Sequence, residues 1–314
     1  MMSDIQRDVL QCIGRTPLLA LRHIVPGNGS RILLKVESEN PTGSMKDRVA
    51  LAMIEAAEAD GRLAAGGSVV EYTGGSTGVS LSLVCAVKGY PLHIVTSDAF
   101  AREKLDHMKA LGATLHIVPS ESGRMTETLT RDMVAAAGVI AAATGSFWTD
   151  QLKNTDQFAA YHAMAEEIWT QTGGRIDGFV QSVGTAASLR GTGEALRHFR
   201  HQINIVAVEP SESPVLSGGR AGAHKIDGIG AGFVVPLWQR ETADQIEQVS
   251  TQEALAMVVR LAREEGIFAG TSTGANVIAA LRLAERLGSH ATIVTVMCDT
   301  GMKYLSKAAS SQNG

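Results

Sequence analysis

The chain has 314 residues, of which 45% are hydrophobic, 19% charged and 4% aromatic, with 33 glycines and a formal net charge of -4. This composition predicts a globular protein with a large core and two domains. It argues against a nucleic-acid partner, and no segment approaches the length needed to span a bilayer. The charged N-terminus lacks an apolar signal core, so we expect a cytoplasmic protein with a small-molecule partner.

Short β-branched runs alternate along the chain with alanine- and leucine-rich segments, which predicts an α/β fold with parallel sheets covered by helices on both faces. The predicted strands are residues 31–37, 68–72, 92–96, 114–118, 178–183, 203–209 and 292–297. The predicted helices are residues 46–60, 77–88, 102–111, 126–137, 155–171, 186–200, 252–265 and 274–287. We expect a change of domain near residues 146–153, where Gly145, Ser146 and Asp150 interrupt two helices.

One lysine stands where a predicted strand gives way to a helix, in the run Asn40-Pro41-Thr42-Gly43-Ser44-Met45-Lys46-Asp47-Arg48. Pro41 and Gly43 break the strand, and Thr42 or Ser44 is predicted to cap the helix. Lys46 then lies in the first turn, where the helix dipole favours the uncharged amine that forms a Schiff base with a carbonyl cofactor. On this motif alone, a solvated lysine is the commoner interpretation.

The cysteines and histidines give no sign of a metal site. Cys12, Cys85 and Cys298 are widely spaced in apolar surroundings, which predicts buried free thiols rather than a disulfide. The nine histidines do not cluster at ligand spacing. We therefore predict no metal.

Two turns are predicted to connect a strand to a helix at the carboxyl ends of parallel strands, where ligands bind. The turn Thr73-Gly74-Gly75-Ser76-Thr77-Gly78 offers hydroxyls and amides that suit a carboxylate, and Gly184-Thr185-Ala186-Ala187-Ser188 suits a phosphate. Helix capping is the alternative for each turn alone, and for a third turn, Gly270-Thr271-Ser272-Thr273-Gly274. The first two lack the dinucleotide and Walker patterns, which disfavours those ligands.

A Schiff-base lysine, a phosphate turn and a carboxylate turn together are what an amino-acid enzyme using pyridoxal phosphate requires. The chain resembles the cysteine synthase (O-acetylserine sulfhydrylase) / cystathionine β-synthase family of fold type II pyridoxal phosphate-dependent enzymes. Besides residues 40–48, the resemblance runs through Ile13-Gly14-Arg15-Thr16-Pro17-Leu18, Val208-Glu209-Pro210, residues 213–219, residues 224–233 and Tyr304-Leu305-Ser306.

The resemblance implies two three-layer αβα domains with mainly parallel twisted sheets, as in tryptophan synthase β. The smaller domain would be residues 39–150, with the Schiff-base lysine and the carboxylate loop. The larger would be residues 12–38 and 151–314, with the cofactor phosphate site. The family also implies a homodimer.

The same resemblance assigns roles to residues. Lys46 would hold pyridoxal 5'-phosphate as an internal aldimine and take the substrate's α-proton. The other cofactor residues would be Ser76, Gly184, Thr185, Ala186, Ala187, Ser188, Ser272 and Asp299, with Ser272 beside the pyridine nitrogen. The substrate residues would be Thr73, Gly74, Gly75, Ser76, Thr77, Gln151, Asp227 and Gly228, with Thr73 to Thr77 holding the carboxylate.

The implied reaction is β-replacement on an O-activated L-serine, most simply O-acetylserine. Loss of the β-substituent would give an aminoacrylate, which sulfide or another nucleophile attacks to form cysteine or a β-substituted alanine. Two other enzyme activities stay open: a β-eliminating lyase of cysteine desulfhydrase or serine deaminase type, and serine–thiol condensation of cystathionine β-synthase type. A catalytically weak homologue acting as a binding partner is a further class.

Several positions depart from the family pattern. The carboxylate loop usually reads Thr-Ser-Gly-Asn-Thr-Gly, whereas this chain has Gly74 and Ser76 at the serine and asparagine positions. The usual Gly-Thr-Gly-Gly-Thr phosphate loop gains two methyl groups at Ala186 and Ala187. Asp227 replaces a common glutamine, and either favours a cationic group or is a solvated surface carboxylate. These changes leave the donor and the nucleophile open.

Overall fold

The structure is a computed structural model that describes residues 6–25, 27–121, 123 and 126–305. It separates into two compact units. Unit 1 contains the chain up to Gly14, residues Asn40–Asp156 and the chain from Lys303 on, and unit 2 contains residues Arg15–Glu39 and Gln157–Met302. Ser306, the last residue of one family motif, lies outside the described residues.

The described residues form ten strands and eight α-helices. The strands are β1 (Leu18–Ala20), β2 (Arg31–Val36), β3 (Val69–Tyr72), β4 (Leu92–Thr96), β5 (Thr114–Ile117), β6 (Phe147–Trp148), β7 (Gly178–Ser182), β8 (Asn204–Pro210), β9 (Gln245–Val249) and β10 (Thr292–Met297). The helices are α1 (Lys46–Asp60), α2 (Ser76–Lys88), α3 (Arg102–Ala110), α4 (Glu127–Thr144), α5 (Gln157–Thr172), α6 (Ala187–Phe199), α7 (Thr251–Glu264) and α8 (Thr271–Leu287). None of the helices in this part of the chain combines the length and apolar character that crossing a bilayer requires.

Unit 1 is built on a parallel sheet with strand order β5-β4-β3-β6. Successive residues of a strand point to opposite faces, and both faces of this sheet are apolar. Val69 packs in a cluster with side chains of α1, α2 and α3, whereas Val70 packs in another with side chains of α4. Helices therefore cover both faces, and the turns after β3 and β4 emerge at the same edge.

Unit 2 is built on a six-stranded sheet with order β1-β2-β10-β7-β8-β9, in which only β1 is antiparallel to its neighbour. One face packs against α7 and α8 through an apolar cluster that includes Ile32, Val206 and Leu283. The predicted α/β class with mainly parallel sheets is confirmed in both units.

The predicted strands and helices all exist, with ends that shift by a few residues, but three strands were not predicted. β1 and β6 have only three and two residues, too few for a period to show. β9 has the polar sequence Gln245-Ile246-Glu247-Gln248-Val249 and lies at a sheet edge, where all its residues but the buried Val249 stay at least partly exposed. The predicted helix at 126–137 continues to Thr144, where it ends because the next residue, Gly145, has a φ of +66°.

The units differ from the predicted domains at their ends. Residues 12–14, residues 151–156 and the chain from Lys303 on belong to unit 1, whereas Glu39 belongs to unit 2. The change of unit comes after Asp156 rather than near 146–153. Hydrogen bonds explain the difference, because Gly14 N donates to Asn40 Oδ1, Gln151 N to Glu71 Oε2 and Lys104 Nζ to the Tyr304 hydroxyl.

The cysteines are free, but they are not all buried. Cys85 and Cys298 are buried as predicted, whereas Cys12 is exposed in a short 3-10 helix, Val9–Cys12. Only Leu10 of that helix packs into the core, and the other three residues of the helix are exposed to solvent.

Candidate active site

Lys46 is the first residue of α1 and is half-buried. Its backbone N–H donates to the Ser44 hydroxyl at 3.2 Å. The prediction was that Thr42 or Ser44 caps the helix, but the residue at the N-cap position is Met45, which makes no side-chain capping bond. Ser44 binds the first N–H of the helix from one position earlier, and Thr42 makes no bond to the helix N-terminus. Thr42 is instead bound to Asp47, with its N–H 2.7 Å from Oδ2 and its hydroxyl 2.5 Å from Oδ1. Asp47, the residue after Lys46, therefore holds the loop that precedes Lys46.

Asp47 links that loop to a second helix. Its Oδ1 also accepts a 2.6 Å hydrogen bond from the Ser80 hydroxyl in α2. Burial raises the pKa of Asp47, and the hydrogen bonds from Ser80 and Thr42 and the charge of Lys303 act in the opposite direction. A carboxylate that accepts three hydrogen bonds fixes the groups that donate them, so Asp47 positions the backbone on which Lys46 stands.

The predicted carboxylate loop, Thr73 to Thr77, connects β3 to α2 in the same unit. Gly75 is the N-cap residue of α2 and Ser76 its first helical residue, so Ser76 does not cap the helix. The Thr77 hydroxyl donates to Gln151 Oε1 at 2.8 Å, and Gln151 Nε2 donates to Tyr72 O at 3.1 Å. The structure thus brings the loop and Gln151 together, as the family resemblance implies.

Glu71 lies behind Gln151 and was not predicted. It is fully buried in β3, where Oε2 accepts the Thr149 hydroxyl at 2.6 Å and Gln151 N at 3.0 Å, and Oε1 accepts Tyr72 N at 2.9 Å. Burial raises the pKa of Glu71 to about 7, and these three hydrogen bonds limit the rise. The available signal was an acidic residue in a strand, Val69–Tyr72, whose neighbours are all buried.

The predicted phosphate loop, Gly184 to Ser188, connects β7 to α6 in unit 2. A Cβ built on Gly184 would stand 2.5 Å from Gly228 O, so only glycine fits there. Ala186 is the N-cap residue of α6, makes no side-chain capping bond and has a φ of +71°. A left-handed residue followed by right-handed helical residues turns successive N–H groups toward one side, which makes an anion-binding concavity.

The third turn brings the remaining predicted residues of unit 2 together. α8 begins at Thr271, three residues before the predicted start, with Gly270 as an N-cap that makes no side-chain capping bond. The Thr271 hydroxyl accepts Asp227 N at 2.8 Å, and Gly270 N donates to Asp299 O at 3.2 Å. Ser272, in the first turn, is only 5% exposed. The Thr271 hydroxyl therefore binds a neighbouring loop rather than capping its own helix.

The residues present fit a phosphorylated carbonyl cofactor. Unit 1, taken by itself, has a primary amine at Lys46. Unit 2, taken by itself, has an anion-binding concavity at the start of α6 and the buried hydroxyls of Ser188 and Ser272. In the part of the chain that the structure describes, no group of His, Cys, Asp or Glu side chains is arranged to hold a metal ion.

Comparison with known proteins gives the family. Residues 9–299 match the family described as pyridoxal-phosphate dependent enzyme. The chain belongs to this family. A cysteine synthase of Staphylococcus aureus is 39% identical over 301 residues, 95% of this chain and of the relative. The crystal structure of the cysteine synthase of Entamoeba histolytica superposes with a TM-score of 0.91 and 36% identity, over 98% of this chain and 91% of that one.

A third relative widens the range of products. The crystal structure of an O-ureido-L-serine synthase gives a TM-score of 0.90 and 35% identity, over 96% of this chain and 94% of that one. The predicted family, the fold type II architecture and the dependence on pyridoxal phosphate are confirmed. The roles of the individual site residues stay predictions.

Proposed function

We propose that this pyridoxal phosphate-dependent enzyme catalyses β-replacement on an O-activated L-serine, most simply O-acetylserine, with sulfide or another small nucleophile. The observation that carries the proposal is the 39% identity with a cysteine synthase over 95% of the chain. The amine of Lys46 and the two turns that suit a carboxylate and a phosphate support it independently of that identity.

Lys46 has two roles in this proposal. Its Nζ would hold the cofactor covalently, and after the substrate has displaced it, the same amine would take the substrate's α-proton. When bound, pyridoxal phosphate withdraws electrons from the α-carbon, which makes that proton removable. Asp47 would keep Lys46 in place through the bonds that it accepts from Thr42 and Ser80.

The remaining residues bind and orient. Backbone N–H groups and hydroxyls of residues 184–188 would hold the cofactor phosphate, with Ser272 beside the ring nitrogen and Ser76 and Asp299 as further cofactor residues. Thr73 to Thr77 and Gln151 would hold the substrate carboxylate, and Asp227 and Gly228 would border the substrate. A hydroxyl at position 272 would leave the ring nitrogen less protonated than an aspartate would, which favours loss of a β-substituent.

The net reaction exchanges one group on the substrate's β-carbon. The bond from the β-carbon to the acetate oxygen breaks, and acetate leaves with the electron pair. The nucleophile supplies the pair for the new bond to that carbon. The α-proton that Lys46 removes returns to the α-carbon, so the product keeps the amino-acid framework.

The test uses the purified holoenzyme with O-acetylserine, O-phosphoserine or serine, each with and without sulfide. We expect cysteine from an O-activated serine only when sulfide is present. Pyruvate and ammonia released at the same rate with and without sulfide would identify a lyase, and condensation of free serine with a thiol would identify the cystathionine-type reaction. A protein that converts none of these donors would contradict the proposal.

The quaternary state and the location are separate expectations. We expect a homodimer because of the family resemblance, and light scattering at micromolar concentration measures it directly, since a monomeric mass would contradict it. The cytoplasmic location also stays a prediction, which fractionation of the source cells tests.

A further inference from the structure

The two middle strands of the unit 2 sheet, β7 and β10, mark the point where the order of the strands reverses. The chain passes from β7 to β8 and β9 on one side, and then returns through α7 and α8 to β10 on the other side of β7. Helix α6 lies on one face, because a Cβ built on its Gly193 would stand 3.2 Å from Ile205 Cγ2. The next residue, Val206, packs on the opposite face in one cluster with Leu283 of α8. Ligands of open α/β sheets bind at the carboxyl ends of the strands at such a point.

The pairing of β7 with β10 stops before either strand ends. The register between them ends with Thr295 opposite Val180, whereas β7 continues to Ser182 and β10 to Met297. Their outer neighbours stay paired to the last residues, β8 with Ser182 and β2 with Met297. In these described strands, the last two residues of β7 and of β10 are therefore paired in the sheet on the outer side alone.

The side chain of Asn276, in α8, bridges the two strands at these ends. It is fully buried, with Oδ1 accepting the Ser182 N–H at 2.7 Å and Nδ2 donating to Val296 O at 2.9 Å. Nδ2 also donates to Cys298 Sγ at 3.4 Å. A side-chain amide has two donor hydrogens and one acceptor oxygen, and these three bonds use all of them. Asn276 is thus bound to the ends of both strands at once.

The predicted cofactor residues of unit 2 lie directly beside this amide. The phosphate turn begins at Gly184, two residues after the strand end that Asn276 holds. Ser272 lies one helical turn before Asn276, on the same face of α8. Asp299 follows the end of β10, and its carbonyl oxygen accepts Gly270 N at 3.2 Å. The amide therefore joins the phosphate turn to the first turn of α8 and to the segment after β10.

We propose that Asn276 is a positioning residue for the cofactor, an inference that rests on the phosphate role of residues 184–188 in the proposed function. Its amide sets the distance between the phosphate turn and the start of α8, where Ser272 would lie beside the ring nitrogen. A phosphorylated ring has a fixed length, so its two ends are both bound well only when the two turns keep that spacing. Loss of the amide bonds would let the phosphate turn shift, which weakens the contacts of its N–H groups with the phosphate.

The test measures how strongly the protein prefers the phosphorylated cofactor. The full-length protein is freed of cofactor with hydroxylamine and titrated, by absorbance, with pyridoxal 5'-phosphate or with pyridoxal, which has the same ring and aldehyde but no phosphate. We expect the parent protein to bind the phosphorylated form more tightly. We expect Asn276→Leu, which is similar in size but has no amide, to lower the ratio of the two dissociation constants about tenfold, the contribution of one hydrogen bond. The affinity for pyridoxal should change much less.

The matched control is Asn204→Leu. Asn204 is the first residue of β8, at the opposite end of the sheet, where its Nδ2 donates to Asp177 O at 3.1 Å. This variant also loses an amide bond, so it should lower the melting temperature and keep the parent's preference. If Asn276→Leu does not fold, Asn276→Ala removes the same bonds with a smaller side chain and should show the same loss of preference.

Three results would overturn the inference. A parent protein that binds pyridoxal as tightly as pyridoxal phosphate would contradict the phosphate role of residues 184–188 and, with it, the role of Asn276. A parent that prefers the phosphorylated form, with the same preference in the Asn276 variants, would contradict the role of Asn276 alone. An equal loss of preference in Asn204→Leu would assign the effect to general destabilisation of unit 2.

Discussion

The Asp47 carboxylate accepts a 2.6 Å hydrogen bond from the Ser80 hydroxyl and thereby joins the helix that begins at Lys46 to the helix that begins at Ser76. Ser80 lies one helical turn beyond Ser76. This buried bond therefore connects the helix of the predicted cofactor lysine to the helix that follows the predicted substrate loop within unit 1.

Ser80→Ala tests this connection. Removal of one donor to a buried carboxylate should lower the free energy of unfolding by about 1 to 3 kcal/mol. The control is Ser82→Ala, in the same helix, because the Ser82 hydroxyl donates to Gly78 O at 2.7 Å and so stays within α2. Thermal melting of both variants measures the difference. Equal losses of stability in the two variants would show that the bond to Asp47 stabilises the protein no more than the bond within α2.

The Glu71 carboxyl predicts a pH dependence of stability. Burial raises its pKa from 4.5 to about 7, so between these values the folded protein keeps a proton that the unfolded chain releases. The free energy of unfolding should then fall as pH rises through this window and level off above it. Melting curves of the parent protein between about pH 5 and pH 8, a range around the raised pKa, measure how the free energy of unfolding changes with pH.

Glu71→Gln removes this titration and should flatten the profile, whereas Glu55→Gln, at an exposed position, should leave it unchanged. The amide has only one acceptor oxygen, so it loses either the bond from Tyr72 N or both bonds at the other oxygen, from the Thr149 hydroxyl and Gln151 N. Loss of the bond from Gln151 N loosens the residue that binds Thr77. We therefore expect a raised KM for the amino-acid donor with a smaller change in kcat. A steep profile in the Glu71→Gln protein would assign the titration to another group.

Lys46→Ala should abolish both turnover and covalent attachment of the cofactor. Borohydride reduction fixes pyridoxal phosphate on the lysine that holds it, and mass spectrometry of the digested protein locates the modified peptide. The control is Lys109→Ala, at an exposed position in α3, which should retain the adduct on Lys46. An unchanged adduct in the Lys46→Ala protein would place the cofactor on a different lysine.

Ala186 and Ala187 should respond in opposite directions to glycine. Ala186 has a φ of +71°, a conformation that costs a residue with a Cβ about 1 to 2 kcal/mol. Ala186→Gly relieves this cost and should raise the melting temperature. Ala187 is the first helical residue of α6, where glycine is less favourable than alanine by about 0.5 to 1 kcal/mol. A lower melting temperature for both variants would contradict the strain at Ala186.

Sequence and family resemblance predicted the parallel sheets, Lys46 at the start of α1 and the turns that follow β3 and β7, because these features depend on local periodicity and short motifs. They did not predict the contacts that support these turns. Glu71 and Gln151 are 80 positions apart and meet because β3 pairs with β6, the strand that precedes Gln151. The ring of Phe100 fills the space that a side chain at position 74 would need. That contact likewise depends on the folded path of two loops.

Backbone conformation was the second feature that the sequence could not predict. The extra methyl group at Ala186 was visible in the sequence, but its left-handed backbone was not, since propensity favours a right-handed residue at an alanine. β9 was missed for a related reason, because an exposed edge strand with polar residues lacks the apolar alternation by which strands are predicted.

The last prediction concerns Ser76, where this chain has a serine and the family commonly has an asparagine. Ser76 is the first residue of α2 and Gly75 is its N-cap, so helix capping does not explain the serine. If the resemblance assigns its role correctly, Ser76→Asn restores a direct hydrogen bond to the cofactor's ring oxygen, worth about 0.5 to 1.5 kcal/mol net. The absorbance maximum of the bound cofactor should then shift. The longer side chain also narrows the site, so the kcat/KM ratio between O-acetylserine and O-phosphoserine should change about tenfold. Melting temperature serves as the control, because an effect on the helix alone would change stability and leave both the spectrum and the ratio as they were.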